Sequence, residues 1–444
     1  MRVQTSLRHV LVAGAGLAGL AAARVLNGRG VRTTVIDARD RVGGRVWTIR
    51  EGFAGGQHAE GGADLIESDQ AAVLALAREL RLPLVPILKR GFGFYGTGTG
   101  GRRTMQNGMR RLGALFAPFA EAVQQYKLTE GRSQSPIVQA LARESVAEYL
   151  TRTGATPATI ERMRSLRGFF LADPEDLSTL ALVEFLATDG FGGDGGMFRI
   201  KGGNDQLATS MAAQLTDPVV RGTVLRKVTT TARGIRATVE SARGRQEIVA
   251  DALVIAMPAT AVRDVVFAPG LPDAQWTAML SLKYGGATRV LLQHASRYWV
   301  RAGRPRAFGS DLSTGAVWDG NEQQPGRAGI LSLLAGGRAS HELVAILNHE
   351  GAEGVVVRLR WLGKPSALLA SHVVRWNDDP WVRGGYAFFD PDFAPEGRDL
   401  LARPAGRIVF AGEHTSIRWQ GYMNGAIESG YRAAEELRSY GMTE

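Results

Sequence analysis

A glycine-rich turn near the start of the chain constrains the fold more than any other feature of the sequence. The apolar run His9–Ala13 is followed by the sequence GAGLAG at residues 14–19, and a helical pattern begins at Leu17. A second apolar run, Thr33–Ile36, then ends at Asp37. This order of strand, glycine turn, helix, strand and acid is the dinucleotide-binding fingerprint of doubly wound sheets. The sequence therefore predicts an α/β fold that binds a dinucleotide at this turn.

The residue types of the fingerprint fit that task. Gly14 permits the tight turn, Gly16 lets a pyrophosphate approach the backbone, and Gly19 lets helix and strand pack closely. The N-terminus of the helix directs its partial positive charge at the phosphates. Asp37 is placed to accept hydrogen bonds from a ribose.

A second glycine pair indicates which dinucleotide is bound. The sequence DRVGGR at residues 40–45 supplies two more glycines and two guanidinium groups, which would neutralise the same pyrophosphate from its other side. A nicotinamide dehydrogenase does not need this second clamp, whereas proteins that bury a whole FAD use it. The sequence resembles the flavin-containing amine oxidase superfamily, which includes monoamine oxidases, polyamine oxidases and L-amino-acid oxidases. Its N-terminal hallmark is the fingerprint followed by DRVGGRVWT, here residues 40–48.

The C-terminal part of the chain carries a second resemblance to the same family. The run RIVFAGEHTS at residues 407–416 reads as a strand entering a glycine turn, and residues 418–434 read as a helix. This pair is similar to the closing motif of the family, in which the acid, here Glu413, binds the ribityl chain. The helix that follows is then expected to direct its N-terminus at the flavin, where a helix dipole stabilises negative charge.

The length of 444 residues is more than one ordinary domain contains, so we expect two domains. The resemblance implies a Rossmann-like FAD-binding domain formed by residues 1–70, 200–284 and 395–444. This domain is interleaved with an α+β substrate-binding domain formed by residues 71–199 and 285–394. The local patterns predict helices at 71–80 and 137–150, strands at 252–258, 287–293 and 330–334, and loops at the glycine patches 91–101 and 190–203.

The resemblance also implies how a substrate is held. Family members align the amine between two aromatic walls that face the flavin. The run WVRGGYAFFDP at residues 381–391 is similar to the segment that gives the first wall, at Tyr386, and Tyr422 in the closing motif matches the second. Gly385 stands where some relatives carry a flavin-linked cysteine, so the FAD is expected to be noncovalent. The residues expected to bind FAD are Gly14, Gly16, Leu17, Ala18, Gly19, Asp37, Ala38, Arg39, Gly43, Gly44, Arg45, Gly61, Gly62, Ala63, Val224, Trp381, Gly412, Glu413, Gly421, Tyr422 and Met423.

Two further positions are expected to take part in the chemistry. Arg289 replaces the lysine that, in the family, holds a water against flavin N5 and assists the reaction with oxygen. An arginine is larger, planar and never deprotonated, so the step with oxygen is expected to differ. Asp64 falls where the amino-acid oxidases place an arginine for the substrate carboxylate. It is expected either to repel a carboxylate and attract a second cation, or to cap the helix that begins near Ser68.

Composition excludes several other classes of protein. The chain has no cysteine, which excludes disulfides, thiolate metal sites and a cysteine nucleophile, and no metal site is expected. The net charge is +10, and the stretch from Lys89 to Arg111 carries no acid. No nucleic-acid-binding motif accompanies that stretch, so we interpret it as a solvated loop. The apolar run after Arg8 resembles a signal peptide, but it contains the fingerprint, and no other segment is long enough to span a membrane. We therefore expect a cytoplasmic protein.

The sequence accordingly predicts an FAD-dependent amine oxidase. It would convert an amine to an imine, which water hydrolyses to a carbonyl compound and ammonia or amine, while O2 is reduced to H2O2. An L-amino-acid oxidase, an FAD desaturase of an apolar substrate and a flavoprotein that only binds partners remain as alternatives. The expected partners are a small-molecule amine and O2. The oligomeric state stays open, with a homodimer as one option.

Overall fold

The computed structural model describes residues 7–97, 103–107, 115–129, 132–187 and 196–440. The helices are α1 Leu17–Gly28, α2 Ala71–Glu79, α3 Ala120–Leu128, α4 Pro136–Ala142, α5 Val146–Arg152, α6 Pro157–Met163, α7 Arg167–Phe170, α8 Thr179–Ala187, α9 Gln206–Ala213, α10 Ala259–Val262, α11 Asp273–Ser281, α12 Arg338–Arg358, α13 Gly397–Ala402 and α14 Met423–Glu436. Short 3-10 turns lie at Ala54–Gly56, Ala117–Phe119, Arg164–Leu166, Arg360–Leu362, Glu413–Thr415 and Leu437–Tyr440.

The first half of the chain contains the strands β1 His9–Ala13, β2 Arg32–Ile36, β3 Thr48–Ile49, β4 Ala59–Glu60, β5 Ile66–Glu67, β6 Leu84–Ile87, β7 Phe92–Thr97, β8 Arg103–Asn107 and β9 Met197–Ile200. The second half contains β10 Val224–Thr231, β11 Gly234–Ser241, β12 Gly244–Ala250, β13 Ala252–Ile255, β14 Val266–Ala268, β15 Lys283–Tyr284, β16 Ala287–His294, β17 Ala307–Ser310, β18 Ala316–Asp319, β19 Gly329–Gly336, β20 Leu368–Arg375, β21 Ala387–Phe388 and β22 Ile408–Phe410.

A parallel sheet of order β2-β1-β13-β22 carries the glycine turn at the end of β1. Successive side chains of a strand point to opposite faces, and β1 shows this clearly. Val10 and Val12 join a core cluster with helix α1, whereas Leu11 and Ala13 join a separate cluster on the other face. Both faces are therefore covered, as in a doubly wound sheet.

The helix α14 packs against α1 on one of these faces. A Cβ at Gly430 would lie 2.3 Å from the carbonyl oxygen of Ala18, so the two backbones approach closely. Helix α1 begins just after the carboxyl end of β1, and α14 is the next α-helix after the carboxyl end of β22. Because the strands are parallel, both helix N-termini lie at the same edge of the sheet. This is the edge where ligands bind in open α/β sheets.

The other large sheet has seven strands in the order β20-β16-β19-β18-β17-β7-β8. Its pairs are antiparallel apart from β17 with β7. Smaller sheets have the orders β12-β11-β10-β14, β5-β9-β6, β3-β4 and β15-β21. The two-stranded pair β15-β21 and the sheet β5-β9-β6 connect segments that the sequence assigned to different domains.

Most of the strand and helix predictions are confirmed, with three differences. The helix predicted over 137–150 is two helices, because Ser145 begins α5 with a capping box in which Ser145 and Glu148 bond each other's backbone N–H groups. The glycine patch 91–101 was expected to be a loop, but Phe92–Thr97 forms the strand β7, and four of its residues pair with β17. Met197–Ile200 in the second patch is likewise a strand. Residues 98–102 and 108–111 of the basic stretch and 190–195 of the second patch lie outside the described residues.

No helix in the described ranges is long and apolar enough to cross a membrane. In the same ranges no group of three or more histidine, aspartate and glutamate side chains is arranged to hold a metal ion.

Candidate active site

One cavity of about 600 Å³ runs from the glycine turn after β1 to the two tyrosines predicted to hold the substrate. It brings together almost every residue that the sequence singled out, although these residues come from widely separated segments. The predicted residues that line it are Gly14, Gly16, Leu17, Ala18, Asp37, Ala38, Arg39, Gly43, Gly44, Arg45, Gly62, Ala63, Asp64, Val224, Arg289, Trp381, Tyr386, Gly412, Glu413, Gly421, Tyr422 and Met423.

The turn after β1 has the geometry that a dinucleotide needs. Gly14 has φ +109°, and its N–H donates to the carbonyl of Ile36 at 2.8 Å. A Cβ at Gly16 would have no atom within 4 Å, so this glycine faces open cavity space at the start of α1. A Cβ at Gly19 would lie 1.9 Å from the carbonyl oxygen of Gly14. Gly19 does not line the cavity, and its task is the close packing of helix and strand.

The acid at the end of β2 is bound to this turn. The carboxylate of Asp37 accepts hydrogen bonds from the backbone N–H groups of Ala15, at 2.7 Å, and Arg39, at 2.9 Å. Burial raises the pKa of Asp37, and the two backbone donors oppose that rise. Asp37 therefore holds the turn together as well as facing the cavity where a ribose would lie.

The glycines of DRVGGR lie against the fingerprint turn. Gly43 donates from its N–H to the carbonyl of Ala15 at 2.8 Å, and both Gly43 and Gly44 line the cavity. Of the two guanidinium groups in DRVGGR, only Arg45 faces the cavity. The expectation for Arg41 is wrong, because its guanidinium lies 4.8 Å from the ring centroid of Trp47, outside the lining.

The segment after β4 forms the next part of the wall. Of the three residues expected here at the cofactor, Gly62 and Ala63 line the cavity, and Gly61 does not. The N–H of Gly61 donates to the carbonyl of Trp47 at 2.8 Å, and its carbonyl accepts from the indole of Trp376 at 3.1 Å. Gly61 therefore supports the wall from behind.

The closing motif places an acid and a helix N-terminus beside Arg45. Glu413 accepts from the guanidinium of Arg45 at 2.7 Å and from the N–H of Gly421 at 2.8 Å. Burial lowers the pKa of Arg45, but the Glu413 carboxylate raises it, and the net shift is upward. Helix α14 begins at Met423, and its first turn therefore directs unpaired N–H groups toward the cavity.

The two predicted tyrosines lie at the other end of the cavity. The hydroxyl of Tyr386 donates to the carbonyl oxygen of Phe169, which fixes its ring. Gly421, with φ +80°, lies under that ring, since a Cβ there would come within 3.0 Å of Tyr386 Cδ2. Tyr422 follows as the residue before α14. Burial raises the pKa of both phenols, so both keep their protons at neutral pH.

Asp64 and Arg289 belong to a buried network that the sequence did not reveal. Asp64 accepts from the guanidinium of Arg199 and, at 2.6 Å, from the indole of Trp318. Arg289 lies 3.7 Å from Asp64 and donates to the hydroxyl of Ser332 at 2.8 Å and to the carbonyl of Gly62 at 2.6 Å. Both arginines are almost fully buried.

This network changes the expectation for Asp64. The helix-capping alternative is wrong, because α2 begins at Ala71 after Gln70 and has no side-chain cap. The alternative of an acid that attracts a substrate cation is not supported either, because protein donors already bind both carboxylate oxygens. Asp64 compensates the charge of two arginines instead.

Sequence reasoning missed the apolar part of the cavity lining. These side chains come from α7, α8, β9, the seven-stranded sheet and neighbouring connecting segments, and no motif marks them. They are Leu65, Phe169, Phe170, Leu171, Leu177, Ala181, Phe185, Met197, Trp318, Leu334 and Trp376. An apolar and aromatic lining excludes water and suits the carbon skeleton of a small organic molecule.

The residue set at the glycine-turn end fits a bound dinucleotide. Gly16 leaves space at the N-terminus of α1, Gly43 and Gly44 lie next to it, and Arg39 and Arg45 supply positive charge. The same cavity continues from there to two neutral phenols, so it joins a place for a cofactor to a place for a substrate.

Comparisons with known proteins agree with this geometry. The family model described as flavin containing amine oxidoreductase matches residues 17–438. The L-amino-acid oxidase of Siganus canaliculatus is 25% identical over 453 residues, covering 97% of this chain and 85% of the relative. The putative flavin-containing monoamine oxidase AofH of Mycobacterium tuberculosis is 28% identical over 450 residues, covering 96% of each chain.

Solved structures show the same fold. Cyclohexylamine oxidase from Brevibacterium oxydans superposes with a TM-score of 0.85 at 23% identity, covering 98% of this chain and 99% of the other. A putrescine oxidase bound to putrescine superposes with a TM-score of 0.83 at 22% identity, covering 97% and 99%.

Proposed function

The chain belongs to the family of flavin containing amine oxidoreductases, and on that basis we propose that its cavity oxidises an amine held between Tyr386 and Tyr422. The protein is an FAD-dependent amine oxidase. The observation that carries the assignment of the site is the single cavity that joins the dinucleotide turn to the two neutral phenols.

The residues of the glycine-turn end would hold FAD noncovalently. Gly16 and the first turn of α1 would bind the pyrophosphate, Asp37 a ribose, and Glu413 the ribityl chain. The first turn of α14 would stabilise negative charge on the ring system. Bound FAD supplies the acceptor for a hydride from the carbon beside the amine nitrogen, and its reoxidation by O2 yields H2O2.

The chain's own residues prepare the substrate for that step. The two phenols orient the nitrogen by dipolar and π contacts, and neither ring ionises. The apolar side chains around them exclude water and fix the carbon skeleton, which makes alignment the main contribution of the protein. The imine product is released from the cavity, and water hydrolyses it to a carbonyl compound and ammonia or amine.

We further propose that the preferred substrate has no carboxylate beside the amine. Arg289 lines the cavity, and its two terminal nitrogens already donate to Ser332 and to the Gly62 carbonyl. Arg199, outside the lining, is bound to Asp64. A carboxylate is recognised best by a free, paired donor edge of an arginine. Of the Arg289 nitrogens only Nε lacks a partner among the described residues, so this guanidinium offers no pair of free donors to a carboxylate.

A second candidate is an L-amino-acid oxidase, and one observation favours it. Arg418 lines the cavity, is exposed, and stacks on Trp419 at 5.3 Å without an ion pair among the described residues. Its guanidinium is therefore open to a substrate carboxylate at the exposed end of the cavity.

A matched pair of substrates distinguishes the two candidates. We expect tryptamine to bleach the flavin faster than tryptophan under anaerobic conditions, because the carboxylate of tryptophan meets no free donor edge near the tyrosines. The measurement is stopped-flow absorbance at the flavin band. In Arg418→Gln the tryptamine rate should stay unchanged. Faster reduction by tryptophan, lost in Arg418→Gln, would instead establish the amino-acid oxidase.

The substrate cage gives a second expectation. Replacing Tyr422 with alanine removes one wall, and a misplacement of about 1 Å can lower the rate on the order of a hundredfold. We therefore expect flavin reduction in Tyr422→Ala, measured per bound FAD, to slow by about that factor. Tyr422→Phe keeps the ring and should stay close to wild type. Tyr431→Ala, in α14 but outside the lining, is the control. Unchanged reduction in Tyr422→Ala would contradict the cage.

The remaining assignments are also proposals. The parallel sheet lies wholly within the ranges 1–70, 200–284 and 395–444, and the seven-stranded sheet within 71–199 and 285–394. The boundary at 199 falls inside β9, so we place it before Met197. We propose O2 as the acceptor, with Arg289 acting at the position of the family lysine, a cytoplasmic location and a homodimer as the assembly to test.

A further inference from the structure

Six acidic residues line the cavity, and the described residues bind five of them. Asp37 is bound by backbone N–H groups, and the other four pair with arginines: Asp64 with Arg199, Glu184 with Arg398, Asp264 with Arg383, and Glu413 with Arg45. Glu67 differs from all of them. Its carboxylate has neither a hydrogen bond nor an ion pair to any residue that the structure describes.

Glu67 lies close to the proposed substrate cage. It is the last residue of β5, beside Met197 of β9. Burial is the main cause of the raised pKa of the Tyr422 phenol, and the charge of Glu67 is the next. Among the residues that the structure describes, the other charged groups nearby are Asp69, in the turn after β5, and Arg199 on β9, which is bound to Asp64. Burial, and after it the like charge of Asp69, raises the pKa of Glu67 to about 7.

A group with these properties can assist the reaction when the amine arrives protonated. An aliphatic amine has a pKa near that of lysine, about 10.4, so it reaches the protein as an ammonium ion. The nitrogen must lose a proton before its lone pair can support the departure of a hydride from the neighbouring carbon. Neither tyrosine can take that proton, because each phenol keeps its own.

Resting on the proposed function, we infer that Glu67 binds the substrate ammonium in the cavity and accepts its proton. The step is R–CH2–NH3⁺ + Glu67–COO⁻ → R–CH2–NH2 + Glu67–COOH. One N–H bond breaks and leaves its electron pair on nitrogen, one O–H bond forms, and no electrons are transferred. The apolar surroundings favour this neutral pair over the ion pair, since burial disfavours both charged forms.

The pH dependence of flavin reduction tests this role. With a monoamine such as benzylamine, the wild-type second-order rate constant of anaerobic reduction should rise through pH 7, as Glu67 loses its proton. Glu67→Gln should lower that constant about a hundredfold at pH 7.5, the lower end of what a general base contributes. The deficit should then shrink by about tenfold per pH unit as free amine replaces the ammonium ion. A structural defect would give the same deficit at every pH.

Asp69→Asn is the matched control. It removes the same charge two residues away, from an exposed side chain outside the cavity lining. We expect the maximal rate constant to change little and the rise to move to lower pH, because the like charge that raises the pKa of Glu67 is gone. A diamine provides a further arm: a loss in Glu67→Gln confined to the diamine would make Glu67 an anchor for a remote ammonium and overturn the inference.

Binding without turnover gives an independent measurement. tert-Butylamine has no hydrogen on the carbon beside nitrogen, so it binds but does not react. Calorimetry at pH 8 in buffers of different ionisation enthalpy should show no net proton release with wild type, and release of about one proton with Glu67→Gln. Equal proton counts, or an unchanged pH profile, would sink the inference while leaving the function intact. Failure of any amine to bleach wild-type flavin would instead refute the proposed function.

Discussion

Gly16→Val is expected to give a folded protein that contains almost no FAD. A Cβ at Gly16 projects into open cavity space at the N-terminus of α1, which is the place proposed for the pyrophosphate. Valine adds two further carbon atoms there, so the phosphates can no longer reach the N–H groups of the helix. We expect the affinity for FAD to fall by roughly a thousandfold or more, equivalent to about 4 kcal/mol. The ratio of flavin to protein absorbance and reconstitution with added FAD measure it.

Gly28→Val is the matched control for this prediction. Gly28 ends the same helix, is exposed, and also has no atom within 4 Å of the position of a Cβ, but it lies outside the cavity. Gly28→Val should therefore purify with a normal flavin content. Full FAD occupancy in Gly16→Val would show that the pyrophosphate binds elsewhere.

Asp64→Asn is expected to destabilise the protein more than it alters substrate choice. The change leaves the guanidinium of Arg199, which is 1% exposed, without its counter-charge. Removing one partner of a buried ion pair lowers the free energy of unfolding by about 3–5 kcal/mol. Denaturant unfolding of the holoenzyme, followed by tryptophan fluorescence, measures the loss.

Two further variants identify the origin of that loss. Glu240→Gln breaks the exposed pair with Arg226 and should cost only about 0–1 kcal/mol. Asp64→Asn combined with Arg199→Met removes both buried charges and should recover part of the stability. If Asp64→Asn unfolds like wild type and changes only the preference for cationic substrates, then Asp64 is a substrate residue and the network is not structural.

Local order along the chain was enough to predict the cofactor end of the site. The turn at residues 14–19 lies between β1 and α1, and its glycines depend on neighbours within a few residues or on one adjacent strand. The acid at Asp37 and the closing pair around Glu413 follow from the same strand, turn and helix sequence. These motifs keep their meaning because the backbone geometry that binds a phosphate is encoded in consecutive residues.

The sequence predicted less well where secondary structure depends on distant partners. The glycine patch after Leu88 has weak strand character, yet Phe92–Thr97 forms β7 because β17 and β8 are available to pair with it. Strand formation reflects the fit to neighbouring strands more than the propensity of the segment itself. The segment 137–150, predicted as one helix, is two helices because the capping box at Ser145 starts a new one.

The sequence by itself determined that this chain binds a dinucleotide, and through its resemblance that it oxidises amines. Only the tertiary structure decided which charges are free to act. Asp64 meets Arg199 across 135 residues, whereas Glu67, three positions after Asp64, has no such partner. The physical reason is that a carboxylate's charge state and availability depend on burial and on the groups around it, and these are brought together only when the chain folds.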